Sequence, residues 1–132
     1  MPVKKNTATK LRATILCLHS RKVLLVKKKG GKWNFPGGVI ESGETAAQAA
    51  ARELQEETSL NSQALLALCS VTTGSTVHHV FTTHFDDHAK PMPANEIAAC
   101  RWVGLQALKR TPLTAAAMAL LSMELPALID LV

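Results

Sequence analysis

The sequence predicts an α+β domain in which a mixed β-sheet is covered by helices. Three observations support this. Short β-branched and apolar runs recur along the chain, one strongly helical stretch interrupts them at residues 45–58, and strands and helices do not alternate strictly. With 132 residues there is room for one domain, 1–132, large enough to fold on its own core without staples.

The first residues, MPVKKNTATK, are basic and polar with no apolar segment behind them, so no signal peptide is expected. Residues 12–18 and 22–26 are apolar, β-branched runs separated by His19-Ser20-Arg21, which predicts a hairpin. A basic loop of Lys27, Lys28, Lys29, Gly30, Gly31 and Lys32 follows. Trp33-Asn34-Phe35 then alternates briefly before Pro36-Gly37-Gly38 forces a turn.

Residues 45–58 predict a helix. Thr45 and Gln48 form a capping box, and the alanines behind them have the highest helix propensity. Residues 65–73 and 76–85 predict two strands around Gly74-Ser75, a pair suited to a type II′ turn. Residues 86–96 form a loop with two prolines, residues 97–103 a last strand, and two short helices finish the chain. Residues 111–123 are the most apolar stretch. They are too short to span a bilayer, are closed by Glu124 and Pro126, and predict a core-packing helix.

A net charge of +5 suits an anionic ligand such as a phosphate compound, and would suit loose nucleic-acid binding too. Cys17, Cys69 and Cys100 form no CxxC pair and are expected to be buried, reduced and inert, which fits the cytoplasm. His78, His79, His84 and His88 show no metal-ligand spacing and are expected to be ordinary histidines.

The helix at 45–58 poses an electrostatic problem. On a wheel of about 100° per residue, Ala46, Ala47, Ala50, Ala51 and Leu54 fill one arc facing the core. Glu53, Glu56 and Glu57 fill the adjoining arc, and Glu57 reaches into the apolar one. Like charges at i and i+4 cost a few tenths of a kcal/mol when exposed and more when partly buried. One reading is a solvated acidic face with Arg52 bridging to Glu56. The other is a hard-cation site, since the arc adjoins buried surface and follows a turn rich in backbone carbonyls.

Gly38, Glu44, the run Arg52-Glu53-Leu54-Gln55-Glu56-Glu57 and Leu60 together resemble the Nudix box, G-x5-E-x7-R-E-U-x-E-E-x-G-U with U aliphatic, over residues 38–60. The flanks resemble MutT-type members. The resemblance implies an α/β/α sandwich with a mixed sheet. It also implies hydrolysis of a nucleoside diphosphate linked to another moiety, with Mg²⁺ or Mn²⁺. In that reading Glu53, Glu56 and Glu57 hold the metal, with the carbonyl of Gly37 or its neighbour. Arg52 orients the glutamates, Glu44 braces the loop on the helix, and Gly38, Leu54 and Leu60 shape the motif. The general base is Glu53, Glu56 or Glu96, and Lys32 and Gly38 are assigned to substrate. Ser59 stands where the family has glycine, at a cost of about 1–2 kcal/mol if it turns left-handed. Asn61 is expected to take over the cap.

A silent, nucleotide-sensing or RNA-binding domain is the alternative of another class, and the intact acidic set argues against it. The absence of tyrosine removes the residue associated with dinucleoside polyphosphate hydrolases. No proline stands about fifteen residues after the box, as in many ADP-ribose hydrolases, and the NADH pyrophosphatase array is missing. A MutT-like (d)NTP pyrophosphatase remains, with a diphosphoinositol, other polyphosphate or ADP-ribose hydrolase as the alternative. The expected partner is a small nucleoside diphosphate derivative, with no membrane and no specific nucleic acid. The chain is expected to be a monomer or homodimer.

Overall fold

The computed structural model describes residues 9–61 and 64–123. In chain order its strands are β1 (Lys10–His19), β2 (Lys22–Lys28), β3 (Trp33–Asn34), β4 (Gly37–Val39), β5 (Leu66–Thr73), β6 (Thr76–His84) and β7 (Ile97–Gly104). Helix α1 (Ala46–Thr58) follows β4; α2 (Leu105–Leu108) and α3 (Ala115–Ser122) follow β7.

Strands β1 and β2 start as a hairpin and then part. Ser20 and Arg21 take φ of 47° and 61°, the two positive values that a type I′ turn needs. The strands then pair only at Leu18 with Val23 and His19 with Lys22. On their outer sides β1 runs parallel to β6 along its length, and β2 runs antiparallel to β7. The segment between Trp33 and Val39 enters the opened fork. Its first part, β3, pairs with Val26 and Lys27, and its second, β4, pairs with Arg12, Ala13 and Thr14. Strand β5 closes the other edge through a turn in which Gly74 has φ 60° and Ser75 is not left-handed, as a II′ turn requires.

Both faces of this seven-stranded mixed sheet are covered, giving the expected α/β/α sandwich. On one face Ala49, Ala50 and Leu54 of α1 pack on Ala13, Ile15, Cys17, Leu24 and Phe81. On the other, Leu108, Ala117 and Leu120 pack on Leu16, Leu18, Val23, Leu25, Val80 and Val103. Alternate residues of β1 therefore serve opposite cores, which is why its sequence is apolar without alternation.

Four expectations need correction. The last helix begins at Ala115 and not at 111. Thr114 caps it, while Trp33 donates to the Pro112 carbonyl and Thr114 N–H to that of Trp33, so residues 112–114 act as a pseudo-strand beside β3. Cys17 is buried, but Cys100 is half-buried and Cys69 lies exposed on the edge strand β5. On α1, Ala47 and Ala51 face solvent, whereas Ala49, Thr58 and Glu57 are buried. Small alanines mark helix propensity more than they mark a face. Finally, Ser59 itself is the C-cap, at φ 64° and ψ 12°, and Asn61 takes no part. Residues 1–8 of the basic N-terminal stretch and the closing Glu124 and Pro126 lie outside the described residues. Among the described residues no helix is long and apolar enough to cross a membrane.

Ser59 offsets its left-handed geometry with a hydrogen bond from Oγ to the Met92 carbonyl at 3.1 Å. Ser59→Ala keeps the strain and loses that bond, so it should destabilise the protein by about 1 kcal/mol. Ser59→Gly loses the bond but relieves about 1 kcal/mol of strain, leaving stability near wild type. Chemical denaturation of the two variants checks the order; an alanine variant as stable as the glycine one would refute the strain.

Candidate active site

The fork sets the site. Because β4 must pair with β1, the turn at Pro36 and Gly37 is brought against the inner flank of α1. Helix α1 is held at its start by Thr45 and Gln48, each bonding the other's backbone N–H. Seating Ala50 and Leu54 in the core then turns Glu53 and Glu57 toward the glycines.

Both glycines are sterically required. Gly37 has φ 151°, and a Cβ there would strike the Ala13 carbonyl of β1. A Cβ on Gly38 would occupy the position of the Glu53 carboxylate. Glu57 is only 6% exposed, and its Oε1 accepts the Gly37 N–H at 3.0 Å. Burial pushes the Glu57 carboxyl up to about 7; the charges of Glu53 and Glu96 add to this, while the Gly37 N–H and Arg12 oppose it. Glu53 is also raised, first by burial and then by Glu56, whose carboxyl lies within its hydrogen-bonding reach.

Arg52 gathers the remaining acids. Its Nε and Nη2 donate to the two carboxylate oxygens of Glu44 at 2.7 and 3.0 Å, a bidentate pair. Its Nη1 donates to Glu53 at 3.0 Å and to Glu56 at 3.3 Å, and its Nη2 also reaches the Val39 carbonyl. The bond from Arg52 holds the Glu44 carboxyl down to about 2. Glu44 also accepts the Glu41 N–H at 2.9 Å, so it ties the loop before α1 to the helix.

Sequence reasoning missed Arg12. Its Nη2 donates to the Phe35 carbonyl at 3.2 Å and its Nε to Thr14 Oγ1 at 3.3 Å. Its charge faces Glu57 and Glu53, while burial lowers its pKa. Across the parallel pairing lies His78, bonded through Nδ1 to Thr14 at 2.9 Å and through Nε2 to Thr73 at 2.8 Å. Burial, and then Arg12, lower the His78 pKa, so it is a neutral structural residue. The signal for Arg12 was one charged residue opening an apolar strand, which by itself reads as a solvated strand end.

Of these groups Arg12, Gly37, Glu53 and Glu57 line a cleft of about 410 Å³ that also takes in Lys28, Lys32, Gly38, Phe35 and Glu96. The structure thus brings Glu53, Glu57, Glu96, Lys32 and both glycines to one cavity. Glu56 and Arg52 do not line it, though Arg52 Nη1 ties Glu56 to Glu53, and Leu54 and Leu60 stay in the core. Lys27 instead sits over the Trp33 ring at 5.4 Å, as does Arg101 at 4.9 Å. Among the described residues no three acidic, histidine or cysteine side chains form a ready metal-ligand cluster. Arg52 holds Glu53 and Glu56, and the Gly37 N–H holds Glu57. The donor chemistry still suits a hard cation: Glu56 lies within hydrogen-bonding reach of Glu53, the charge of Glu53 acts on Glu57, and carboxylate oxygens are the donors such a cation takes.

A family model described as the NUDIX domain matches residues 9–122, so the chain belongs to the Nudix family. A Danio rerio protein named oxidized purine nucleoside triphosphate hydrolase is 48% identical over 56 residues, 39% of this chain and 36% of that one. The chain matches less than half the length of its curated relatives. Among solved structures, a MutT NUDIX hydrolase from Burkholderia pseudomallei superposes with TM-score 0.73 at 23% identity, covering 87% of this chain and 97% of that one. A bifunctional NMN adenylyltransferase/ADP ribose pyrophosphatase from Francisella tularensis, complexed with AMP and a Mn ion, superposes with TM-score 0.76 at 23% identity. That match covers 88% of this chain and 41% of that one.

The two glycines should fail in different ways. Gly37→Ala forces a backbone clash and should cost at least about 2 kcal/mol of stability. Gly38→Ala displaces only a carboxylate, so it should leave the melting temperature within a few degrees while disabling the site. Thermal melts of both variants decide this; equal melting temperatures would contradict it. Glu57→Gln keeps an acceptor for Gly37 N–H and removes a buried charge, so the metal-free protein should gain about 1 kcal/mol at pH 8. A destabilised glutamine variant in a chelator-treated melt would show that the charge is already compensated.

Proposed function

We propose that this chain is a Mg²⁺- or Mn²⁺-dependent pyrophosphohydrolase acting on a nucleoside diphosphate derivative. A (d)NTP is the favoured substrate, and an oxidised purine nucleotide the favoured example. The observation that carries this reading is the junction of α1 with the glycine turn. There Arg52 gathers Glu44, Glu53 and Glu56, and Glu57 is buried against Gly37. The name of the Danio rerio relative supports the choice of substrate.

In this reading Glu53, Glu56 and Glu57 hold the cation, with a carbonyl of the Gly37 turn. When bound, the cation offsets phosphate charge and makes water more acidic. Lys28, Lys32 and Arg12 supply fixed positive charge around the phosphates. Water adds to one phosphorus, the bond to the bridging oxygen breaks, and nucleoside monophosphate and pyrophosphate leave. Glu96 takes the proton: it lines the cleft, while Arg52 pairs with Glu41, Glu44, Glu53 and Glu56. Most of the rate comes from positioning and charge neutralisation. The polyphosphate alternative is less well supported, since of the lysine cluster only Lys28 and Lys32 line the cleft. Three unpaired cysteines suit a cytoplasmic protein.

A nucleotide panel with Mg²⁺, scored for monophosphate and pyrophosphate, tests the substrate. Glu56→Gln and Glu57→Gln should each lower kcat by about 10²-fold or more with the fold intact. Full turnover in both would overturn the metal assignment. Mg²⁺ or Mn²⁺ should also raise the melting temperature of the wild type. The Glu53/Glu56/Glu57 triple glutamine variant should show no such rise; an equal rise would place the metal elsewhere.

A further inference from the structure

Helix α1 ends with carbonyls that no further turn can satisfy. The loop before β7 supplies the donors. Met92 N–H reaches the Thr58 carbonyl at 2.8 Å, Ala94 N–H that of Glu57 at 3.2 Å, and Asn95 Nδ2 that of Glu56 at 2.7 Å. Two of these acceptors belong to residues whose side chains form the acidic site.

Asn95 differs from the other two donors. It bonds through its side chain, and its backbone is left-handed at φ 57°, a conformation asparagine tolerates. Ile97 N–H donates to the Ala94 carbonyl at 3.1 Å, closing a tight turn around Asn95 and Glu96. Ile97 is 6% exposed and opens β7, so the far side of the turn is anchored in the core. Glu96 is thus suspended between two anchors, the end of α1 and the start of β7. From there it lines the cleft with its charge on Glu57.

We propose that Asn95 is a positioning residue for Glu96: its side chain locks the turn to the Glu56 carbonyl, fixing Glu96 relative to the glutamates of α1. This rests on the reading of Glu96 as the proton acceptor. A cap alone would not require the left-handed turn at the residue next to Glu96. An exposed carbonyl such as that of Glu56 could equally be capped by water.

Three variants test the inference: Asn95→Gly, which keeps the left-handed turn but loses the donor, Glu96→Gln, and the double variant. Each is assayed on the best nucleotide of the panel. Asn95→Gly should lower kcat about tenfold with KM within about twofold, and the double variant should be no slower than Glu96→Gln alone. In the metal-free protein Asn95→Gly should speed amide exchange at Ala94 and Ile97 about tenfold, with the middle of α1 unchanged. Wild-type kcat in Glu96→Gln would remove the proton-acceptor reading, and the inference with it. A slow Glu96→Gln beside an unaffected Asn95→Gly would overturn the inference alone, as would losses that multiply in the double variant. Unchanged exchange at Ala94 and Ile97 would overturn it without any turnover being measured.

Discussion

The arrangement depends on β1 and β2 parting after two residue pairs. A hairpin that stayed zipped would leave β1 no free edge for β4 and β2 none for β3. The divergence gives each strand a new partner on its inner side, and the chain between Trp33 and Val39 crosses from one to the other. That crossing is the glycine turn. Its position against α1 therefore follows from sheet pairing, and Gly37 can pass so close to Ala13 only because it has no side chain.

Electrostatics builds on this geometry. Helix α1 concentrates acidic residues that would repel each other in isolation, and two guanidinium groups meet them from different sides. Arg52, on the helix itself, holds Glu44, Glu53 and Glu56 in direct ion pairs. Arg12, from the sheet, acts on Glu57 and Glu53 through space while its own donors go to Phe35 and Thr14. Glu57 remains the least compensated: it is buried, has one backbone N–H and stands near two other carboxylates. A buried carboxylate of this kind is costly to the fold, and in the proposed function that cost is what a bound cation would relieve.

The loop from Met92 to Asn95 completes the helix it faces. Its donors satisfy the carbonyls of Glu56, Glu57 and Thr58, and Ser59 returns a bond to Met92. The serine in place of the family's glycine thus does two things: it accepts the left-handed cap, and it adds a tether that glycine lacks. The helix end and the loop that carries Glu96 consequently share one hydrogen-bond network.

Local physics was legible in the sequence. The capping box of Thr45 and Gln48, the turns at Ser20-Arg21 and Gly74-Ser75 and the apolar runs of β1 and β2 each depend on neighbouring residues, and each forms as expected. The spacing of Gly38, Glu44, Arg52, Glu53, Glu56 and Glu57 is likewise a property of one short segment. Only the tertiary structure decided which groups of that segment are buried and what meets them. Ala47 and Ala51 turn outward while Glu57 turns inward, because the core that α1 packs on is built by strands distant in sequence. Arg12 joins the site through the antiparallel pairing of β1 with β4, opposite Val39, and Asn95 caps Glu56 across 39 residues of chain. Periodicity and propensity register contacts a few residues apart; they carry no information on which distant backbone will remove a charge from water.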